Sequence, residues 1–204
     1  MGLLNGIGLA AISILIGIVI GLSLALVYTR GHRVLRSLVA AYVEFIRNVP
    51  LLLLVYLVFY GVPSVGGFAY GATTSFIITL SLYAGANLVE IFRAGLDAIP
   101  ESLIEAGKSI GLTSRQRLLW VQLPMMFRIV LPSLGNTFIS LFKDTSLAAV
   151  IAVPELTYGA QWINFNTFRI VEVYMVVTPM YLVTGYAITF ILQRIERHYR
   201  IEKP

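Results

Sequence analysis

Residues 3–28 read LLNGIGLAAISILIGIVIGLSLALVY, a run with no charged side chain. A helix needs about 20 residues to cross the hydrocarbon core of a bilayer, and this run exceeds that length. Four more apolar segments follow, at about Tyr42 to Val62, Thr73 to Leu96, Ile129 to Val153 and Val173 to Leu192. The expected fold is therefore all-α: a polytopic membrane protein of five transmembrane helices forming one domain over 1–204. Composition agrees, with 58% of the 204 residues hydrophobic and 12% charged, against roughly half and a quarter in a soluble domain.

The connecting loops set an orientation. Arg30, Arg33 and Arg36 follow the first run, and Lys108, Arg115, Arg117 and Arg128 lie between the third and fourth. Arg194, Arg197, Arg200 and Lys203 follow the fifth, whereas 63–72 carries no charge and 154–172 has Arg169 as its one basic residue. Basic loops stay cytoplasmic, so the N-terminus is expected outside and the C-terminus inside. The net charge of +5 is thus membrane-flanking charge facing lipid, not a nucleic-acid patch. No basic lead or small-residue cleavage site precedes the first run, which is expected to be a retained span. The chain has no cysteine, which excludes disulfides and thiolate metal sites. His32 and His198 sit in basic segments and are expected to be solvated. Gly2/Gly6, Gly17/Gly21 and Ser81/Gly85 have small-xxx-small spacing, which either brings helix backbones together or is merely tolerated in lipid.

The loop at about 98–124 carries ordered signals. Pro100 suits a first helical position, Glu101 the positive helix end and Gly111 a stop. Leu103, Ala106, Gly107 and Ile110 make an apolar face with a small-residue notch, opposite Glu101, Glu105 and Lys108. Thr113 and Gln116 form a capping box for a second helix, expected to end before Pro124. A short amphipathic helix of this kind either docks into a partner's groove or lies on the membrane surface.

Glu105-Ala106-Gly107, Gly111 and Val121-Gln122-Leu123-Pro124 together resemble the EAA loop of ABC importer permeases, with Gly107 replacing the second alanine and Val121 the isoleucine. Phe45-Ile46-Arg47-Asn48-Val49-Pro50, Glu90-Ile91-Phe92-Arg93-Ala94-Gly95, Lys143-Asp144-Thr145-Ser146-Leu147 and Val153-Pro154-Glu155-Leu156 resemble segments of the polar amino acid branch. The resemblance covers nearly the whole chain and implies a permease of a bacterial cytoplasmic (inner) membrane importer. Its implied partners are an ATP-binding subunit, a second permease (identical or related), and a periplasmic or lipid-anchored solute-binding protein. The implied cargo is a polar amino acid. It also implies that the loop is a coupling helix, with Glu105, Ala106, Gly107 and Gly111 at the ATPase docking site.

Gly107-Lys108-Ser109 mimics the end of a phosphate-binding loop, but Ser102 stands where the first glycine belongs, and Glu105 would place a carboxylate among the phosphates. Five spans leave too few residues for an ATPase domain, which takes on the order of 100. No catalytic residue and no cofactor are therefore expected, and hydrolysis is assigned to a separate subunit.

Charges within spans are costly, at about 2.5–3.5 kcal/mol each at mid-bilayer. Asn136, Ser140, Lys143 and Asp144 form one polar stripe in the fourth span, and Tyr83, Asn87 and Glu90 another in the third. Either Asn87, Glu90, Ser140, Lys143 and Asp144 line a substrate pathway, or the charges pair off, as Lys143 with Asp144 and Glu90 with Arg93. The resemblance places a substrate cavity among these spans, although Asn87 stands where an aromatic residue is common. Tyr158, Trp162, Phe165 and Phe168 in the outer segment read as an interfacial anchor. An ion-coupled secondary transporter using Glu90, Lys143 and Asp144 is the alternative class. A membrane enzyme is disfavoured, because no nucleophile–base constellation is present.

Overall fold

The computed structural model describes residues 1–67 and 69–199, with side chains through Arg197; the His198 side chain, Arg200 and Lys203 lie outside the described residues. All regular structure among the described residues is helical. Helix α1 covers Gly2–Arg30, and α2 covers Arg33–Asn48. Helices α3 (Leu51–Tyr56) and α4 (Val62–Gly66) are joined by a π turn at Leu57–Gly61. Helix α5 spans Ala72–Asp97 and α6 Glu101–Ser109. Helix α7 (Ser114–Arg117) runs through a second π turn, Leu118–Gln122, into α8 (Leu123–Asp144) and a 3-10 stretch at Thr145–Ile151. Helices α9 (Leu156–Thr167) and α10 (Ile170–Tyr199) complete the chain. Four stretches are long and apolar enough to cross a membrane, and a fifth joins them if the bent pair Arg33–Asn48 and Leu51–Gly66 is one span.

That bent pair corrects the expected second span. It is no continuous helix over Tyr42 to Val62, because the axis turns by 108° at Val49 and Pro50. Val49 is extended (φ −92°, ψ 131°), as the residue before a proline prefers, and Pro50 has no N–H to continue the ladder. Helix α2 buries Val39, Val43 and Ile46 against the bundle, at i, i+4 and i+7, and leaves Arg33, Arg36 and Arg47 exposed.

A second correction concerns Pro124, where the chain does not stop. A proline in a continuous helix clashes with the carbonyl four residues back and forfeits a hydrogen bond. Here the backbone widens first, and the Leu123 N–H reaches back five residues to the Leu118 carbonyl. The same device precedes Pro63, where the Val62 N–H bonds to the Leu57 carbonyl. Widening of this kind re-satisfies the groups a proline would strand. The fourth span accordingly begins as helix well before Ile129 and gives way to 3-10 geometry at Thr145, short of Val153. Pro100 is the N-cap of α6 rather than its first residue.

Helix α5 is the hub, with Phe76, Leu80, Leu88 and Phe92 fully buried, and it packs most extensively on α1. Small residues make that contact. A Cβ on Gly17 would lie 2.7 Å from that of Ala84, one on Gly21 2.6 Å from that of Leu88, and one on Gly85 2.7 Å from Ile20 Cγ2. Lipid offers no hydrophobic drive between helices, so close approach is what stabilises this pair. Gly21→Val is expected to insert normally yet lose about 2 kcal/mol of stability by overpacking. An unchanged melting temperature in detergent would count against the seam. Helix α10 is peripheral, burying little beyond Val177 and Ile188 and leaving a broad apolar face exposed.

Candidate translocation cavity and docking loop

The two polar stripes face each other. Helix α5 presents Tyr83, Asn87 and Glu90, and α8 presents Ser133, Asn136, Thr137, Ser140 and Asp144, around a cavity of about 430 Å³ completed by Arg47 from α2. Asn87 donates its amide to the Tyr83 carbonyl (2.9 Å), and Thr137 its hydroxyl to the Ser133 carbonyl (2.9 Å). Both side chains thus settle a donor on their own helix.

Glu90 pairs with Arg93 at 3.0 Å, both about one-third exposed, and the Arg93 guanidinium lies 4.9 Å from the Tyr28 ring centre, a cation–π contact. Lys143 sits off the cavity, exposed. At 100° per residue it falls about a quarter-turn from the face centred on Ser140 and Asp144. Lys143 and Asp144 form no ion pair, and among the described residues Glu90–Arg93 is the pair observed. Both stand at the C-terminal end of α8 rather than mid-span. Glu90 lies in the last third of α5.

Arg47 is the charged lining residue that sequence reasoning passed over, and Ser133 and Thr137 are neutral ones. It stands in the Phe-x-Arg-x-x-Pro segment near the end of α2, the helix that packs against α5. A second cavity of about 460 Å³, lined by Tyr28, Glu44, Asn48, Glu90 and Arg93 among others, shares Arg47 and Glu90 with the first.

The 98–124 loop is self-braced. Gly111 is left-handed (φ +81°), and the Leu112 N–H returns to the Gly107 carbonyl at 3.0 Å, closing the end of α6 as a glycine stop does. The capping box is formed: the Gln116 N–H donates to Thr113 Oγ1, and the Thr113 N–H to Gln116 Oε1. Arg117 lays its stem on Gly107, where a Cβ would meet Cγ and Cδ at 3.3 Å. Its guanidinium donates to the Leu112 carbonyl (2.6 Å) and Ser114 Oγ (3.1 Å). Gly107 therefore faces inward, while Leu103, Ala106 and Ile110 (77% accessible) are exposed with Glu105. Gly107, Lys108 and Ser109 belong to helix α6, not to a loop following a strand. Arg30 donates to Gln122 Oε1 (3.1 Å), setting the first connection beside this loop.

At the opposite end Asn5 donates to the Pro154 carbonyl (2.8 Å), and Glu155 is 1% exposed. Its carboxylate caps α9 by accepting from the Thr157 N–H (2.9 Å), the Tyr158 N–H (2.6 Å) and the Tyr181 hydroxyl (2.8 Å). Burial pushes this carboxyl above the usual range, and the hydrogen bonds oppose that shift. Trp162, Phe165 and Phe168 are exposed along α9 and its end.

A family model described as binding-protein-dependent transport system inner membrane component matches residues 17–201. The chain belongs to that family. This permease is 36% identical over 198 residues to a probable glutamine ABC transporter permease protein of Bacillus subtilis (strain 168), covering 96% of this chain and 90% of that one. It is 37% identical to the L-cystine transport system permease protein of the same organism, covering 96% and 84%. A crystal structure of an amino acid ABC transporter with histidines matches at TM-score 0.89 and 30% identity, covering 97% and 92%. A methionine ABC transporter in inward-facing form shares the fold at TM-score 0.81 and 23% identity, covering 98% and 95%. Membership makes the permease a non-enzymatic inner-membrane subunit of an ABC importer, with ATP hydrolysis on a separate subunit. The family implies an ATP-binding subunit, a partner permease and a solute-binding protein, and it displaces the ion-coupled and enzymatic alternatives.

Proposed function

We propose that the permease carries a polar amino acid, delivered by an external solute-binding protein, through the cavity between α5 and α8. The observation that carries this reading is the convergence of Asn87, Glu90, Ser140 and Asp144 on one cavity of about 430 Å³, a size suited to a small solute. Lys143 stands beside the cavity's outer end. Relatives named for glutamine and cystine support the cargo class. The exposed face of α6, with Glu105 and Ala106, docks into the ATP-binding subunit, while Gly107 and Gly111 hold the helix in shape for that contact. A second permease, a copy or a paralogue, completes the pathway, and lipid covers the remaining apolar faces. Reconstitution with its ATP-binding subunits and solute-binding protein should give glutamine or cystine uptake that requires ATP. Uptake driven instead by a proton or sodium gradient would refute the reading.

The N-terminus lies outside and the C-terminus in the cytoplasm. Cysteines introduced at Arg33 and Arg115 are expected to react with membrane-impermeant reagent only from the cytoplasmic side, and one at Gly66 only from outside. Gly66 and Arg33 reacting from one side would remove this topology.

A further inference from the structure

A crevice of about 320 Å³ runs between α1, α8 and α10. Its walls are hydrocarbon: Ile14 and Ile18 from α1, Leu134 and Phe138 from α8, and Leu192 and Ile195 from α10. The sequence of α8 leaves the opening. Pro132 interrupts the hydrogen-bond ladder there, and Gly135 has no side chain, so that a Cβ would only reach ordinary contact with Leu192 at 3.6 Å. Thr189, also on the wall, has its hydroxyl settled on the Gly185 carbonyl (2.8 Å). Leu15, Val19, Phe190 and Ile191, beside the lining residues in sequence, are exposed, so the surface around the crevice is apolar too.

One end differs. Gln193 and Glu196 line it near the C-terminal end of α10, and among the described residues Glu196 is the one charged group of the lining. It is half-buried and has no ion pair among those residues. The neighbouring Arg194 guanidinium lies instead 5.0 Å from the Phe190 ring centre. A carboxylate at the edge of hydrocarbon is costly without a cation.

We infer that this crevice holds an acyl chain of a phospholipid whose headgroup is a primary ammonium, as in phosphatidylethanolamine, with the ammonium donating to Glu196. An ammonium offers three N–H donors, and its bonds to a carboxylate are stronger than neutral ones. An anionic headgroup is repelled by the same carboxylate, and a choline headgroup brings charge without a donor. A second permease seated here would bury Glu196 against protein and need a fixed cation to match it, whereas the lipid brings its own. With the C-terminus in the cytoplasm, as proposed above, the headgroup lies in the inner leaflet; binding itself does not depend on that orientation. Asn136 lines both this crevice and the α5–α8 cavity, so the bound chain packs against the helix that lines the cavity.

The test places the permease, assembled with its partner subunits, in phosphatidylcholine nanodiscs containing a minor share of a lipid with a diazirine in its acyl chain. Photolabelled peptides are mapped for ethanolamine, choline and glycerol headgroups. The ethanolamine lipid should label 131–139 and 189–196 about tenfold more than the glycerol lipid, with the choline lipid between them. Glu196→Gln should bring the three headgroups within about twofold of one another. Gly135→Leu, which puts a side chain into the crevice, should lower labelling there for every headgroup and leave labelling at exposed Met175 and Val183 unchanged. Equal labelling by all headgroups in the wild type, or an ethanolamine preference that survives Glu196→Gln, would overturn the assignment. A crevice labelled by no lipid, in which a photoreactive residue at Ile139 captures the second permease, would overturn it in favour of a protein occupant. ATP-dependent uptake is read separately, so that loss of the lipid site leaves the import reading standing.

Discussion

Gly111→Val is expected to abolish productive coupling, with uptake falling at least about tenfold while the chain still inserts and folds its spans. Gly111 sits at φ +81° with no side chain or backbone crowding the position where a Cβ would be, so the obstacle is conformational. A left-handed L-residue costs about 1–2 kcal/mol, more for a β-branched one, and 1.4 kcal/mol is a factor of ten in an equilibrium. The strain falls where the Leu112 N–H returns to the Gly107 carbonyl, and losing that closure frees the exposed face of α6 from its fixed angle. Pull-down of the ATP-binding subunit should weaken in step with uptake. Gly111→Asn, a residue that tolerates this conformation, should retain much of the activity. Glu105→Lys is the complementary change: it strains nothing within the chain and reverses charge on the exposed face of α6 that is proposed to dock. Normal uptake in both Gly111→Val and Glu105→Lys would remove the docking assignment.

Glu155→Ala is expected to cost stability rather than coupling, about 3 kcal/mol, because it removes the acceptor of three donors around a buried carboxylate. A buried donor left without an acceptor costs about 1–3 kcal/mol. The Tyr181 hydroxyl has an alternative partner in Thr157 Oγ1 at 2.9 Å, so the two backbone N–H groups dominate the loss. Glu155→Gln keeps one acceptor oxygen and should lose less. The readouts are the melting temperature in nanodiscs and protease access to α9, with a larger effect on α9 than on the α1–α5 seam. An alanine variant as stable as the wild type would mean that the cap contributes nothing.

The features legible in the sequence were those fixed by local backbone chemistry. Gly111 and the Thr113–Gln116 box follow from the conformations and donors of a few neighbouring residues, and the structure has both. The two stripes were legible because helical periodicity sorts Asn87 with Glu90 and Ser140 with Asp144. Lys143 was harder to place, since a face is defined by its centre, and the centre on α8 became visible only when Ser133 and Thr137 joined it across from α5. Arg47 was hidden because its own segment does not say which helix α2 packs against, and it reaches the cavity through the contact of α2 with α5. Pro124 misled in the opposite sense, because the rule that a helix stops before proline assumes that the stranded carbonyl finds no other accommodation. Glu155 caps α9 through its near neighbours Thr157 and Tyr158, and what the sequence hid was the third donor, Tyr181, far along the chain.

The π turn at Leu118–Gln122 has a consequence for tolerance to insertion and deletion. Each residue in a helix advances the following segment by about 100° around the axis, and a π turn is in effect one residue inserted into an α-helical ladder. That odd residue sets the rotational phase between the 98–124 loop and the cavity-lining face of α8. Removing it would restore a regular ladder at the expense of swinging Ser140 and Asp144 away from α5. Lengths in this short stretch are therefore expected to be held more strictly than its side chains, so that the permease accepts substitutions at Leu119 or Trp120 more readily than deletion of either residue.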